Sequence, residues 1–281
     1  MNFEMRYLDL LHNVLTNGTY KNNRTGVGAY TLPHFMLQHD MSNGFPLLTT
    51  KKMGIKTIAA ELEFFIKGLT DKQWLKDRNC NIWNEWCNPK KIPANLTENE
   101  RKEYQLNEND LGPVYGYQWR NFNGSGYDQL KKIIETLKTD PDNRRMVCSA
   151  WNPEQLDEQA LPPCHVLWHV TVIGGKLHLS WTQRSCDSFL GIPYNIASYA
   201  MLLALLAKES SLKPGIVTGF LSDVHIYENH VEQAKTQIKR TPYTLPDINI
   251  SNFKSIYDWQ YTDIKLNNYK SHSKIKAPIA V

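Results

Sequence analysis

Apolar residues recur at helical spacing in four stretches of the chain. The spacing predicts helices over residues 1–16, 56–67, 127–139 and 193–209. Gly68 follows the second stretch directly and is expected to end that helix, because glycine readily adopts the left-handed conformation found after helix C-termini. The last stretch is the longest and is apolar almost all round, which predicts a buried central helix.

Four other runs have the composition and spacing of β-strands. They cover residues 28–39, 145–151, 165–173 and 176–183. The pair Gly174-Gly175 lies between the last two runs and predicts a tight hairpin turn. Helices and strands are interspersed along the chain, so we expect an α+β fold with a sheet covered by helices.

The 281 residues suit a single domain spanning 1–281. Residues 88–110 are polar and charged, and apolar patterning resumes on both sides of them. We interpret them as a surface insertion with a short helix. With 41% hydrophobic and 21% charged residues, the composition is that of a soluble globular protein. The start of the chain has no signal-peptide pattern and no apolar run is long enough to span a bilayer, so a cytoplasmic protein is expected.

Net charge and cysteine content indicate which kinds of ligand and site are expected. The net charge of +4 favours a site for an anionic small molecule over nucleic acid, because no long Lys/Arg block occurs. Five cysteines at irregular spacing are a poor disulfide framework, and with no CxxC pair or zinc-like histidine spacing we expect no metal site.

Cys164 is the first candidate for chemistry. Two prolines precede it in the run LPPCH, and a β-rich run follows it. A nucleophilic cysteine needs a fixed position and nearby cations. Hairpin pairing across Gly174-Gly175 would bring Arg184 back towards Cys164. A buried structural cysteine is the alternative.

Further polar clusters have both a functional and a structural interpretation. Asn195, at the entry to the apolar helix, presents a donor and an acceptor suited to uracil, but also suits helix capping. Arg144 and Arg145 suit a phosphate, or are simply solvated. His225 and Tyr227 share one strand face and could bind a sugar hydroxyl or form a half-buried polar pair.

Two tryptophans complete the candidate clusters. Trp83 and Trp86 lie close together in the run IWNEW. They could stack on a flat ring or belong to the ordinary core.

Taken in order, the motifs resemble those of the thymidylate synthase family over essentially the whole chain. The matching runs are NRTGVG from Asn23, FPLLTTKK from Phe45, IWNEW from Ile82, GPVYGYQWR from Gly112, DNRRM, LPPCH, QRSCDSFLGIPYNIASY, DVHIYENH and the terminal KAPIAV. The resemblance implies a mixed, twisted sheet around the central helix, with the sheet forming a homodimer interface.

The resemblance also implies roles in a dUMP site. Cys164 corresponds to the nucleophile that adds to C6 of the pyrimidine, and Arg184 to the residue that stabilises its thiolate. Asn195 corresponds to the residue that recognises O4 and N3 of uracil. In relatives that act on dCMP, the corresponding position resembles an aspartate instead. Arg144 and Arg145 correspond to a pair that reaches the partner subunit's phosphate. The remaining implied nucleotide contacts are Arg24, Gln183, Ser185, Asp187, His225 and Tyr227.

A folate site is implied in the same way. Glu61, Tyr115 and His165 correspond to a proton-handling network, to which Asn195 and Asp187 add further catalytic positions. The tail 277–281 resembles a segment that closes over the ligands. Residues corresponding to folate contacts are Lys51, Ile82, Trp83, Trp86, Leu161, Asp187, Leu190, Gly191, Tyr194 and Ala280.

The implied reaction is the conversion of dUMP to dTMP with 5,10-methylenetetrahydrofolate, yielding dihydrofolate and needing no metal. Two alternatives remain open at this point: a dUMP hydroxymethylase of the same fold, which lets water capture the one-carbon unit, and an RNA-binding protein with a relic site. Departures from the family pattern occur at residues 167–171 and at Glu63, Thr182 and Ser222.

Overall fold

The computed structural model describes residues 3–279 of the chain. Within them eight α-helices are present, and short 3₁₀ turns connect several elements. The helices are α1 Phe3–Asn17, α2 Ile55–Ile66, α3 Gln73–Lys76, α4 Glu98–Asn107, α5 Tyr115–Arg120, α6 Gln129–Thr139, α7 Gly191–Glu209 and α8 Val231–Ile238.

The strands of the described chain form one large sheet and one small one. They are β1 Thr19–Lys21, β2 Ala29–Asp40, β3 Val147–Ser149, β4 His165–Ile173, β5 Lys176–Gln183, β6 Cys186–Asp187, β7 Lys213–Tyr227, β8 Asp247–Ile250 and β9 Ile264–Asn267. The large sheet has the order β1-β2-β7-β5-β4-β3 with β6 beside β7, and β8 pairs with β9.

The large sheet is mixed, because β5 and β6 run parallel to β7 while the other pairs are antiparallel. A parallel pair needs a crossover connection, and α7 supplies it. Most of α7 is buried against the inner face of the sheet. The predicted α+β fold with a buried central helix is therefore confirmed.

The inner face of the sheet carries large side chains that alternate along each strand. In β5 these are Leu177, Leu179 and Trp181, each almost fully buried. The Trp181 ring lies against Gly219 of β7, where an added Cβ would come within 2.4 Å of the ring. Glycine at this position therefore leaves room for the indole to lie on the inner face of the sheet, over the strand that pairs with β5.

Several predicted boundaries shift for identifiable reasons. Helix α2 ends as predicted at Gly68, whose φ is +68° and whose amide donates to Phe65 O, a glycine C-terminal cap. Helix α7 begins at Gly191, before the predicted start, and in the turn that leads into it Asp187 Oδ1 accepts the amides of Phe189 and Leu190, at 2.9 and 3.0 Å. The predicted strand 145–151 is shorter, as β3.

Strand β7 extends well before the DVHIYENH motif that indicated it. Its inner face alternates through Val217 and Leu221, then resumes at Val224 and Ile226. Asp223 interrupts the alternation with a φ of +41°. Because the inward-facing positions change register at Asp223, strict alternation along the sequence does not predict the first part of this strand.

The polar segment 88–110 holds the predicted short helix, α4. Thr97 and Glu100 form a capping box at its start, and none of its residues is buried. Across residues 3–279, no helix combines the length and apolar character needed to cross a membrane.

The buried carboxylate of Glu63 accounts for one departure from the family pattern. Glu63 is 2% exposed, lies 2.5 Å from Lys67 Nζ and accepts the Tyr261 amide at 2.7 Å. The carboxylate thus ties α2 to the segment before β9, a contact that an apolar residue cannot make.

Candidate active site

Cys164 lies where the polypeptide enters β4, and its backbone is fixed on both sides. Its amide donates to Tyr115 Oη at 2.8 Å. Its carbonyl oxygen accepts the amide of Arg184 at 2.8 Å, directly beyond the hairpin partner β5. The predicted approach of Arg184 to Cys164 is confirmed.

Prolines before the cysteine position the arginine. Arg184 Nε donates to Pro163 O at 2.9 Å and Nη2 donates to Pro162 O at 2.7 Å. Burial raises the pKa of the Cys164 thiol above its ordinary value, while the charges of Arg184 and Arg24 and a hydrogen bond with Tyr115 act to lower it. The cations therefore offset part of the desolvation that an unassisted thiolate would suffer.

Tyr115 and His165 stack beside the cysteine. Their ring centroids are 4.1 Å apart, and His165 Nδ1 lies 2.8 Å from Tyr199 Oη. Burial lowers the pKa of His165 to about 3. The imidazole is therefore neutral at physiological pH, and it orders its neighbours without adding a charge.

Glu61 of α2 faces the same cluster. Trp83 Nε1 donates to Glu61 Oε1 at 2.9 Å, and the Trp83 ring centroid lies 6.0 Å from that of Tyr115. Burial raises the pKa of Glu61 to about 7, although the hydrogen bond from Trp83 opposes this shift. A carboxyl group that changes protonation near neutral pH suits proton transfer.

Glu61→Gln is expected to raise the free energy of unfolding at pH 8. Since the folded-state pKa of Glu61 rises from 4.5 to about 7, the unfolded chain loses this proton first as pH rises, and the free energy of unfolding falls across that interval. The neutral amide of glutamine does not ionise, so the variant keeps about 1–3 kcal/mol of the free energy of unfolding that the wild type loses. This figure allows for the partial exposure of Glu61 to solvent. Urea unfolding of the wild type and the variant at pH 8 and pH 4 measures this difference. An equal increase in the free energy of unfolding at both pH values would contradict the ionisation argument.

Asn195 and Gln183 form the opposite side of the cluster. Gln183 Nε2 donates to Asn195 Oδ1 at 3.1 Å and to Ser185 O at 3.0 Å. Gln183 Oε1 accepts from Trp181 Nε1 at 3.0 Å. The core thus orients the Gln183 amide, which in turn orients the Asn195 amide.

His225 and Tyr227 lie at the end of β7, next to β6. Their rings meet edge to face at 5.1 Å, as their spacing predicted. His225 Nδ1 lies 2.9 Å from Asp223 O. Arg24 is exposed in the loop after β1, where Asn23 accepts from Thr25 and donates to Val27 O.

The structure does not bring every predicted residue to this cluster. Arg144 and Arg145 are both exposed before the edge strand β3 and lie outside the described cluster around Cys164. Lys51 is 5% exposed, donates to Phe189 O and lies over the Phe189 ring at 3.8 Å. Burial lowers the pKa of Lys51 to about 7, with Asp187 opposing the shift. Lys51 is therefore inside the protein, next to Asp187, and not on the surface.

An aromatic and apolar wall borders the cysteine cluster. Trp83 and Trp86 meet edge to face at 6.4 Å, and Phe65 packs against both Trp83 and Tyr115. The half-buried members of the wall that pack on the core are Ile82, Trp86, Leu161, Leu190 and Tyr194. Gly191 lies within reach of the Asp187 and Asn195 side chains. Ala280 lies outside the described residues.

His230, which the motif DVHIYENH contains but to which sequence reasoning assigned no role, contacts the tail. It is fully buried, and its Nε2 lies 2.6 Å from Pro278 O. Because a carbonyl only accepts, this nitrogen carries the proton. The other nitrogen, Nδ1, lies 3.9 Å from Asp187 Oδ1 and makes no hydrogen bond within residues 3–279.

The described residues contain no group of three or more His, Cys, Asp or Glu side chains arranged to hold a metal ion. The cluster therefore combines a cysteine beside an arginine, a carboxyl group with a pKa near neutrality, an oriented amide and an aromatic wall. This set can add a nucleophile to a polar planar ring and move protons around it.

Known proteins resemble this chain over its full extent. A family model described as thymidylate synthase matches residues 5–281. The thymidylate synthase of Mycoplasma pneumoniae (strain ATCC 29342 / M129 / Subtype 1) is 46% identical over 287 residues, covering 98% of this chain and 99% of the relative. The thymidylate synthase of Mycoplasma genitalium (strain ATCC 33530 / DSM 19775 / NCTC 10195 / G37) has the same identity and coverage.

Proposed function

Because the chain belongs to the thymidylate synthase family and is an enzyme of that type, we propose that it methylates dUMP to dTMP through a covalent bond between Cys164 and C6 of uracil. The co-substrate is 5,10-methylenetetrahydrofolate and the second product is dihydrofolate. The observation that carries the proposal is the fixed position of Cys164 between Tyr115 and Arg184. Relatives named thymidylate synthase do not favour the hydroxymethylase alternative.

Addition of the Cys164 thiolate is the first step. The sulfur electron pair forms the bond to C6, and the electrons of the C5–C6 double bond move towards O4, which makes C5 nucleophilic. Arg184 and Arg24 stabilise the thiolate before addition. The Asn195 amide, which Gln183 orients, binds N3–H and O4 and thereby stabilises the charge that develops on O4.

The nucleotide's phosphate and sugar have candidate ligands around the cysteine. Arg184 projects from the end of β5 and is exposed, and Arg24 is exposed in its loop. Guanidinium groups bind phosphate oxygens in pairs of hydrogen bonds. His225 and Tyr227 lie together at the end of β7, where they would bind the 3′-hydroxyl.

The wall of aromatic residues fits a folate. Trp83, Trp86 and Tyr194 offer faces for a pterin ring, and Asp187 is half-buried beside the orphaned His230 Nδ1. When bound, the folate supplies the one-carbon unit and the hydride.

Protons move through the cluster of Glu61, Tyr115 and His165. Glu61, with its pKa near 7, can accept or donate a proton at physiological pH. Burial raises the pKa of Tyr115 well above its usual range, so its hydroxyl stays protonated as a hydrogen-bond donor. Tail residues held by His230 exclude water from C5, which favours hydride over water as the final reactant.

The proposed homodimer forms through the outer face of the large sheet. This face carries exposed Met36 and Phe220, at 44% and 49%, and the buried Nε2 of His169, which lacks a partner within the described chain. Such a surface is expected to be covered by a second copy. Arg144 and Arg145 lie near its edge strand, free to reach the partner's phosphate site.

Shared sites predict that two inactive variants restore activity together. In a heterodimer of Cys164→Ser with the Arg144→Ala/Arg145→Ala double variant, one site carries both defects and the other carries neither. Co-refolding at equal amounts should therefore give about a quarter of wild-type activity, by random pairing of a twofold-symmetric dimer. Mixing without unfolding is the control. No recovery after co-refolding would show that each subunit supplies its own arginines.

The proposed reaction is tested with purified protein, dUMP and 5,10-methylenetetrahydrofolate. The nucleotide product is weighed by mass spectrometry while near-ultraviolet absorbance follows dihydrofolate. We expect dTMP and dihydrofolate to form one for one. A hydroxymethylated nucleotide without dihydrofolate would overturn the proposal.

A further inference from the structure

Lys72 is a fully buried lysine just before α3, outside the cluster around Cys164. Its Nζ donates to three backbone carbonyl oxygens: Asn84 O at 2.9 Å, Trp86 O at 2.8 Å and Gln105 O at 2.5 Å. An ammonium group has three N–H donors, and here each has its own acceptor. No described carboxylate forms an ion pair with Lys72, so these carbonyls are its direct contacts, while the charges of Glu85 and Glu108 favour the ammonium form from further away.

The three carbonyls belong to two separate segments. Asn84 and Trp86 lie in the turn that carries Trp83, whereas Gln105 lies in the last turn of α4. Helix C-termini leave their last carbonyls without intrahelical partners and concentrate negative partial charge there. Lys72 therefore caps the insertion helix and holds the tryptophan turn with the same group.

Lys76, one helical turn further along, provides a contrast. Its Nζ donates to Leu106 O at 3.0 Å and to Asn109 Oδ1 at 3.0 Å. It caps the same end of α4, yet neither of the two acceptors that it has within residues 3–279 lies in the tryptophan turn. The two lysines thus share the helix contact and differ in the turn contact.

We propose that Lys72 is a positioning residue for the folate pocket, coupling the insertion 88–110 to the turn that presents Trp83 and Trp86. The inference rests on the proposed function for the ligand that the pocket takes. Through this turn Lys72 also acts on Glu61, because Trp83 donates to the Glu61 carboxylate. The insertion is consequently part of the pocket's support and not only a solvated lobe.

Burial lowers the pKa of Lys72 to about 8, so the group keeps its charge at neutral pH. A neutral amine would have only two donors for the three carbonyls. Methionine has nearly the volume of lysine, is one heavy atom shorter and has no donor at all. Lys72→Met therefore removes all three hydrogen bonds with little change in packing volume.

The test compares Lys72→Met with Lys76→Met. We expect Lys72→Met to raise the KM for 5,10-methylenetetrahydrofolate by about tenfold or more, because loosely held pocket groups bind and orient poorly. The KM for dUMP should stay within about twofold, since the turn does not carry the nucleotide ligands. Lys76→Met should change neither constant by more than about twofold. Equal effects of the two variants, or an equal rise in both KM values in Lys72→Met, would overturn the proposal.

Amide hydrogen exchange gives a readout that needs no substrate. In Lys72→Met, the amides of residues 83–86 and of α4 should both exchange faster, whereas in Lys76→Met only those of α4 should. Unchanged exchange at 83–86 in Lys72→Met would overturn the coupling even if the enzyme were inactive on dUMP. If Lys72→Met does not fold, Lys72→Gln, which keeps two N–H donors, replaces it. Its effects on the KM for the folate and on exchange at residues 83–86 should be smaller, yet still larger than those of Lys76→Met.

Discussion

Cys164→Ser should lower dTMP formation at least about a thousandfold while leaving dUMP bound. A serine hydroxyl remains protonated at neutral pH, so it cannot form the bond to C6 that activates C5. The contacts that position the residue use its backbone amide and carbonyl, and the substitution leaves them in place. Turnover measured by product mass, with dUMP affinity from calorimetry, separates lost chemistry from lost binding.

A fluorinated substrate makes the covalent step visible. In 5-fluoro-dUMP the C5 proton is replaced by an atom that cannot leave as a cation, so tetrahydrofolate cannot be eliminated. The reaction should therefore stop with the nucleotide, the one-carbon unit and the folate that carries it all attached to the enzyme. Intact-protein mass spectrometry should show this adduct in the wild-type enzyme and not in Cys164→Ser. Cys148→Ala is the matched control, because Cys148 is fully buried in β3. If Cys164→Ser also formed the adduct, a residue other than Cys164 would be the nucleophile.

Asn195→Asp should reverse the preference between uracil and cytosine. In the proposed complex the Asn195 amide donates to O4 and accepts from N3–H, whereas a carboxylate only accepts. Leaving O4 unpaired in a closed site should lower kcat/KM for dUMP by about a hundredfold to ten-thousandfold. The 4-amino group of dCMP donates where O4 accepts, and a proton taken up by the carboxyl group or by N3 bridges the remaining pair of acceptors, so dCMP should become the better substrate.

Competition between dUMP and dCMP in one reaction measures the change in specificity directly. Gln183 Nε2, which now donates to the Asn195 side-chain oxygen, can donate equally to a carboxylate. The fold should therefore persist, and a thermal midpoint within a few degrees of wild type is the control. Equal losses on both nucleotides would indicate that residue 195 supports the site without reading the base.

Local sequence was sufficient where a contact depends on neighbours along the chain. The hairpin of β4 and β5 follows its predicted bounds because Gly174 and Gly175 both adopt positive φ, at +59° and +72°. The register of that hairpin then places Arg184 beside Cys164, as predicted. His225 and Tyr227 meet for the same reason, since alternate residues of a strand share a face.

The local pattern of apolar residues did not predict an element whose spacing of apolar positions changes along its length, is too short to recognise or lacks a capping residue. Strand β7 changes phase at Asp223, and α5 is too short for its apolar spacing to stand out. Helix α7 begins before its predicted start because its N-cap residue is Leu190, which gives none of the usual capping signals in the sequence.

The sequence alone determined the fold class, the order of the motifs and the family, because these depend on residue type and spacing. Only the tertiary structure decided that the side chains of Lys51 and Lys72 are buried and that the pKa of Glu61 is near 7. Both outcomes depend on which distant segments exclude water from a side chain. Lys72 contacts carbonyls in two segments far along the chain, and no local spacing encodes that meeting. Burial and pairing of charges are therefore properties of the packed chain.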